Sequence, residues 1–167
     1  MGTTIWSPLS SGILTGKYID GIPEDSRYKA FESMADKLFG NYLKDKKNFD
    51  EKLKKLKEIA EKKCECSLAT LAIAWCIANP DISVCILGAS KASQLDDTLK
   101  AVEIYNTIDK DTWVKIEKIL DNTPKGEIDF RSWKELPSRR NLAMGIDYIK
   151  AEKYNIKINL IKNYWYY

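Results

Sequence analysis

The 167-residue sequence contains no histidine, so imidazole is excluded as an acid, a base or a metal ligand in this chain. Its apolar runs stay well short of the roughly 20 residues that a membrane-spanning helix needs. No basic segment followed by a long apolar one opens the sequence, and no signal peptide is predicted. The net charge of +3 is too small for the basic surface of a typical nucleic-acid-binding protein, and no nucleic-acid partner is expected.

The sequence is also poor in cysteine, with four residues and no C-x-x-C pair: Cys64, Cys66, Cys76 and Cys85. Structural zinc sites need cysteine and histidine at defined spacings, which this pattern does not provide. Small buried side chains in a reducing compartment explain the four thiols better. We therefore predict no metal site and expect a cytoplasmic location.

What the sequence does contain is enough apolar material, 44%, for one globular domain with a core. Two strands are predicted, at Thr3 to Ser7 and at the continuous apolar run Ile82 to Leu87, which is typical of a strand covered on both faces. Helical spacing and cap residues predict helices at 48–63, 68–78, 92–105 and after Asp109, with a short helix within 27–45. In the helix at 92–105 the residues expected to face inward are Leu95, Leu99, Val102 and Ile104.

The order of these elements is strand, long loop, two helices, strand, two helices. Strands separated by helices indicate a parallel sheet with right-handed crossovers. Two strands are too few to close a barrel, so the pattern predicts a part of an α/β domain.

Three motifs carry a resemblance to a known family. Residues 6–18 read W-S-P-L-S-S-G-I-L-T-G-K-Y, residues 68–76 read L-A-T-L-A-I-A-W-C, and residues 86–95 read I-L-G-A-S-K-A-S-Q-L. In this order and at these separations they resemble the C-terminal half of the aldo-keto reductase superfamily. The segment G-I-P-E-D-S-R at 21–27 is similar to the voltage-gated potassium channel β-subunit branch of that superfamily.

The resemblance implies strands seven and eight, with their helices, of a (β/α)8 TIM barrel that is incomplete in this chain. We expect the barrel segment at residues 1–132 and a C-terminal tail at 133–167. From Ile146 to Tyr167 the tail draws 17 of its 22 residues from Ile, Lys, Asn and Tyr. That bias fits either a helix or strand that packs on the domain, or translated AT-rich sequence beyond a damaged or mispredicted gene boundary.

The resemblance also implies an NADP(H) site. TIM barrels bind ligands at the C-terminal ends of their strands, often with phosphate at the loops after strands seven and eight. Lys17 and Arg27 match family positions near the phosphate-bearing part of the cofactor, whereas Ser90 and Gln94 match positions around the adenosine 2′-phosphate. Asp97 stands where the family often has Glu. The full set of implied cofactor-binding residues is Trp6, Ser7, Pro8, Leu9, Ser10, Ser11, Lys17, Arg27, Gly88, Ser90, Gln94 and Asp97.

No catalytic residue is assigned. The family reduces carbonyls with an Asp, Tyr, Lys and His tetrad borne on the first half of the barrel, and this sequence resembles only the second half. We expect the chain alone to be inactive, and an intact protein to reduce aldehydes or ketones. Two alternatives stay open: a regulatory protein of the potassium channel β-subunit type, or a non-functional gene fragment. The implied partners are a small carbonyl substrate, the cytoplasmic face of a potassium channel and a second copy of the chain.

Overall fold

A computed structural model describes residues 3–122 of the chain. Its architecture is a mainly helical α/β fold with one small parallel sheet. One 3₁₀ segment, Ser10–Thr15, lies in the loop after the first strand, and a second, Glu32–Met34, directly precedes the helix that begins at Ala35. The strands and α-helices are β1 Thr3–Ile5, α1 Arg27–Ala30, α2 Ala35–Lys44, α3 Lys46–Lys63, α4 Leu68–Ala78, β2 Ile82–Cys85, α5 Ala92–Leu99, α6 Ala101–Ile104 and α7 Lys110–Leu120.

The two strands are parallel neighbours, which confirms the predicted sheet. Thr4 lies opposite Val84 and Ile5 opposite Cys85. The pairing extends one residue further, because the Ile86 N–H donates to the Ile5 carbonyl at 2.9 Å. Both strands therefore end at the same edge of the sheet.

Helix starts follow the predicted caps. The Ser67 hydroxyl accepts from the Thr70 N–H at 3.0 Å at the start of α4, and the Asp109 carboxylate accepts from the Thr112 N–H at 2.7 Å at the start of α7. Each side chain satisfies a backbone donor that has no partner within its own helix. Helix α4 is buried or half-buried along its whole length, as its apolar composition predicts.

The main core lies between the 3₁₀ segment, α2, α3, α4 and α7. Helix α3 contributes residues spaced three and four apart, which lie on one helical face. None of the described helices is both long and apolar enough to cross a bilayer. The buried members of this core are Ile13, Tyr18, Phe39, Tyr42, Leu53, Leu56, Ala60, Leu68, Leu71 and Ile116.

Two expectations about burial are wrong within residues 3–122. Strand β2 is not covered on both faces: Ile82 is buried in the direction of α4, but Val84 is 51% exposed. Three of the four residues predicted to face inward from the following helix are also exposed: Leu95 at 39%, Leu99 at 50% and Val102 at 61%. The fourth, Ile104, packs against a second core cluster as predicted. The apolar pattern identified residues that can be buried, whereas their burial depends on which surfaces meet.

The single helix predicted at 92–105 is two helices. Helix α5 ends at Leu99 and α6 begins at Ala101. The Thr98 hydroxyl lies within hydrogen-bonding distance of the Gln94 and Leu95 carbonyls, at 3.0 and 3.2 Å. A hydroxyl bonded to carbonyls three and four residues back often bends a helix. Lys100 keeps a helical backbone, and its N–H donates to the Asp97 carbonyl three residues back at 3.2 Å, so the boundary is a local tightening of the helix.

Candidate functional site

The candidate site lies at the sheet edge where both strands end. Because Ile5 and Cys85 are register partners, the chain leaves β1 at Trp6 and β2 at Ile86 side by side. We call residues Trp6 to Tyr18 the first loop and residues Ile86 to Gln94 the second loop. The structure thus brings the two predicted cofactor loops to one edge.

The first loop has an unusual backbone that includes five left-handed residues. Three of them are serines, Ser7, Ser10 and Ser11, with φ of 54°, 46° and 56°. Non-glycine residues adopt this region only when their surroundings enforce it. The enforcing contacts include backbone bonds from Ser10 N–H to the Ser7 carbonyl at 2.8 Å and from Gly12 N–H to the Leu9 carbonyl at 2.9 Å. Hydrogen bonds within the loop therefore hold its backbone in this conformation.

Lys17 folds back over its own loop. A Cβ placed on Gly12, whose φ is 95°, would lie 2.9 Å from the Lys17 Cε. The Lys17 ammonium lies 5.0 Å from the centre of the Tyr18 ring, within cation–π range. Tyr18 is only 1% exposed, and its hydroxyl donates to the Ser11 carbonyl at 3.4 Å. Lys17 is exposed, and of its surroundings Gly12 leaves room for its side chain while Tyr18 offers its ammonium a ring face.

Two further residues from the set implied by the resemblance are exposed. Trp6, the first residue after β1, is 81% exposed. Arg27 is exposed at the first position of α1, directly after Ser26, whose buried hydroxyl accepts from the Lys29 N–H at 3.4 Å. Pro8 and Leu9 are half-buried.

The second loop is held by one side chain. The Gln94 Oε1 accepts from the Ser90 N–H at 3.0 Å, the Ser90 hydroxyl at 3.2 Å and the Lys91 N–H at 3.3 Å. An amide oxygen therefore occupies the place where donors converge at the start of α5, which is the kind of place that suits an anion. A Cβ on Gly88 would meet nothing within 4 Å, so the backbone there faces open space.

Asp97 points away from the loops toward the start of α4. Its Oδ2 accepts from the Ser67 hydroxyl at 2.5 Å and lies 3.1 Å from the Thr70 hydroxyl, while its Oδ1 lies 3.5 Å from the Lys100 ammonium. The bond from Ser67 is the main reason that the pKa of Asp97 lies below its ordinary value. Burial opposes this shift, and Thr70 and Lys100 add to it. The carboxylate fastens α5 to α4.

A cluster that the sequence reasoning missed lies behind the first loop. The Tyr42 hydroxyl donates to the Asp50 Oδ1 at 2.6 Å, and the Lys46 ammonium contacts the Asp50 Oδ2. The signal was present as a spacing of four residues between successive members. It was hidden by the break between α2 and α3, which separates Tyr42 from the other two.

The cysteines form no disulfide among the described residues. Burial is the main cause that raises the pKa of the Cys66 thiol to about 11, and burial likewise raises the pKa of Cys64. Neither thiol carries much thiolate near neutral pH, so neither is a strong nucleophile.

A cavity of about 360 Å³ opens between the end of α3 and the start of α7 and includes no residue of the two loops. Its lining residues are Lys63, Cys64, Glu65, Ile104, Thr107, Ile108, Asp109 and Thr112.

Comparison with known proteins defines the class. Residues 1–121 match the model of the aldo/keto reductase family. The chain therefore belongs to that family, which confirms the resemblance recognised in the three motifs.

Particular relatives are channel subunits by name. The chain is 43% identical over 131 residues to the "Putative voltage-gated potassium channel subunit beta" of Schizosaccharomyces pombe, over 78% of this chain and 37% of that protein. It is 40% identical over 135 residues to each "Probable voltage-gated potassium channel subunit beta" of Arabidopsis thaliana and of Oryza sativa subsp. japonica, over 78% of this chain and 39% of each relative. The chain thus spans about two fifths of the length of these curated relatives.

Proposed function

We propose that this chain is the NADP(H)-binding portion of an aldo-keto reductase. In this proposal β1 and β2 are strands seven and eight of a (β/α)8 barrel, and the barrel segment covers residues 1–132. The predicted tail at 133–167 lies outside the described residues. The observation that carries the proposal is the parallel register of β1 and β2, which puts both loops at one strand edge. That edge is where barrel proteins bind phosphate-bearing ligands.

Side chains of the first loop, together with Arg27 of α1, suit a dinucleotide. The exposed Trp6 indole offers a flat apolar surface for a planar ring. The Lys17 ammonium and the Arg27 guanidinium supply positive charge for phosphate groups, and the planar fork of arginine suits phosphate oxygens. The turn from Ser7 to Ser11, including Pro8, Leu9 and Ser10, supplies the backbone that wraps the cofactor.

The second loop suits the 2′-phosphate of the adenosine. Its donors, the Ser90 N–H, the Ser90 hydroxyl and the Lys91 N–H, already converge on one acceptor atom of Gln94. A phosphate oxygen would take the place of that acceptor, and the Gln94 NH₂ group could then donate to it. Gly88 leaves room for close approach. Asp97 contributes by fixing α5, since its carboxylate is bonded to Ser67.

NADP(H) would supply the hydride for carbonyl reduction, while this chain's residues bind and orient it. The aldo-keto reductase tetrad of Asp, Tyr, Lys and His is not assigned to any residue here, and the chain has no histidine. We therefore expect the 167-residue chain to bind the cofactor without turning over a carbonyl. Steady NADPH oxidation with an aromatic aldehyde would contradict this expectation.

The names of the relatives favour a second candidate, a cytoplasmic regulatory protein of the potassium channel β-subunit type. Its partner would be the cytoplasmic face of a channel, and the state of the bound cofactor would regulate that channel. The two candidates share the nucleotide site and differ in whether turnover matters. Co-purification of the longer protein with a channel would favour the second candidate, and carbonyl turnover by that protein would favour the first.

The nucleotide site is tested by titrating the full chain with NADPH while following heat and tryptophan fluorescence. We expect one saturable site that prefers NADPH over NADH. Lys17→Met and Arg27→Met should each weaken binding by about 10- to 100-fold, since each removes a charged hydrogen-bond partner. Lys57→Met, which changes an exposed α3 lysine paired with Glu61, is the matched control. Absence of NADPH binding, or an equal loss in the control, would overturn the proposal.

A further inference from the structure

The cluster behind the first loop joins two helices to the loop's end. Tyr42 lies on α2, while Lys46 and Asp50 lie on the first turns of α3. Besides their contacts with Asp50, two of these side chains reach backbone carbonyls: the Tyr42 hydroxyl lies 3.2 Å from the Tyr18 oxygen, and the Lys46 ammonium lies 3.4 Å from the Ile19 oxygen. The single phenol proton of Tyr42 goes to Asp50. Lys46 is therefore the donor that holds the residue directly after the loop, and Asp50 and the Tyr42 ring hold Lys46 in turn.

The environment of the cluster keeps it in one protonation state. Tyr42 is 3% exposed, and burial is the main cause that raises the pKa of its phenol, with the Asp50 carboxylate adding to the effect. Burial of Asp50 acts to raise the pKa of its carboxyl. The bonds from Lys46 and Tyr42 outweigh burial, and that pKa lies below its ordinary value. A neutral phenol and a charged carboxylate therefore persist at neutral pH, which suits anchoring and does not suit proton transfer by Tyr42.

Packing connects the anchor to Lys17. The Tyr18 ring meets Phe39 edge-on with centroids 5.5 Å apart and lies 6.5 Å from the Tyr42 ring. The Lys17 ammonium rests over that same Tyr18 ring, and the space it needs exists because position 12 is glycine. A shift of the backbone at Tyr18 would therefore move Lys17 as well.

We propose that Lys46 and Asp50, acting with Tyr42, are positioning residues that hold Lys17 in place to receive a phosphate group of the nucleotide. This inference rests on the proposed function, because it assigns a purpose to the geometry of that site. It names residues on two helices outside both loops as determinants of phosphate binding. If these residues had only a general structural role, replacing them would lower the stability of the whole fold and would not act on phosphate binding through Lys17.

The first arm of the test is amide hydrogen exchange on the full chain without ligand. Lys46→Met should speed exchange by about tenfold at Ile19 and Gly21, which directly follow the loop and whose N–H groups donate to the Gly16 and Tyr18 carbonyls. Exchange in the buried helix α4 should not change. Lys46→Arg, which keeps a cationic donor, should restore the slow exchange. Unchanged exchange at Ile19 and Gly21, or equal acceleration in α4, would overturn the positioning role.

The second arm is a double-mutant cycle on NADPH affinity with Lys46→Met, Lys17→Met and both together. Lys46→Met should weaken binding about fivefold in the parent and have no effect once Lys17 is replaced, because neighbours that act through one another are not additive. Equal losses in both backgrounds would contradict the inference while leaving the nucleotide site intact. If the parent chain does not bind NADPH, the proposed function fails, and with it the assignment of Lys46 and Asp50 to phosphate binding.

Discussion

The two loops leave neighbouring strands at the same edge of the sheet, yet different forces shape them. The first loop places Ile13 and Tyr18 in the main core, and distant residues of α2 and α3 anchor its end. The second loop has no fully buried residue and is held by Gln94, a neighbour in sequence. Tertiary packing therefore determines the first loop and local hydrogen bonding the second. We expect substitutions of the buried residues in the first loop to lower stability strongly, whereas substitutions in the second loop should have smaller effects on stability.

The largest expected effect comes from removing the core residue of the first loop. Tyr18→Ala should lower the free energy of unfolding by about 3–5 kcal/mol, as for other buried aromatic side chains. Leu95→Ala, on the exposed helix after the second loop, should change it by less than about 0.5 kcal/mol. Urea denaturation followed by circular dichroism measures both. Similar losses in the two variants would show that Tyr18 ties the first loop to the core no more firmly than Leu95 ties the start of α5.

A pair of glycine substitutions gives the next largest difference. Gly12→Ala should cost about 1–3 kcal/mol, because its φ is left-handed and its Cβ would meet the Lys17 side chain. Gly88→Ala has open space around the new Cβ and should change stability by less than about 0.5 kcal/mol. In the proposed site, Gly88→Ala should nevertheless weaken NADPH binding. Thermal melts and NADPH titrations of both variants check this, and a large loss of stability for Gly88→Ala would contradict it.

Gln94 offers a smaller change that separates its structural and binding roles. Gln94→Ala removes the acceptor shared by three donors and should cost about 0.5–1.5 kcal/mol. Gln94→Glu keeps an acceptor oxygen and should retain the stability of the parent. Its negative charge should still weaken binding of NADPH more than binding of NADH. Equal losses of NADPH and NADH affinity would show that the second loop does not bind the 2′-phosphate.

The smallest expected effect is a pH dependence at Asp97. Its pKa in the folded chain lies below the ordinary 3.8, so its bonds stabilise the fold above that pH and are lost as the pH falls through the lowered value. Because the carboxylate is partly exposed, this contribution should be less than about 1 kcal/mol. The stability difference between the parent and Asp97→Asn, measured in urea, should shrink as the pH drops from 6 to 3. A difference that stays constant would contradict the assigned bonds.

Much of the secondary structure could be predicted from the sequence because its causes are local. Helical periodicity locates α3 and α4, and the side chains of Ser67 and Asp109 cap their helices as the pattern indicates. The parallel pairing of β1 and β2 follows from strands separated by helices. The exposure of Val84 and Val102 could not be predicted, because periodicity gives the apolar face of an element and not the surface that covers it.

The candidate site, too, could be predicted from the sequence only in part. Family motifs located both loops, and the structure brings them to one edge, whereas cofactor binding by their residues stays a prediction. The motifs gave no indication that the Asp97 carboxylate bonds to the start of α4, or that Tyr42, Lys46 and Asp50 anchor the first loop. Those contacts join residues that are distant along the chain or on different helices, so they depend on the folded arrangement.

The most direct test of the account is a map of backbone amide chemical shifts in the full chain during an NADPH titration. If the two loops form one nucleotide site, Ser7 to Lys17 and Gly88 to Gln94 should shift together with a single saturation curve. Residues around the cavity between α3 and α7, such as Cys64 and Thr107, should not respond. Shifts confined to one loop, or centred on that cavity, would contradict a shared site at the strand edge.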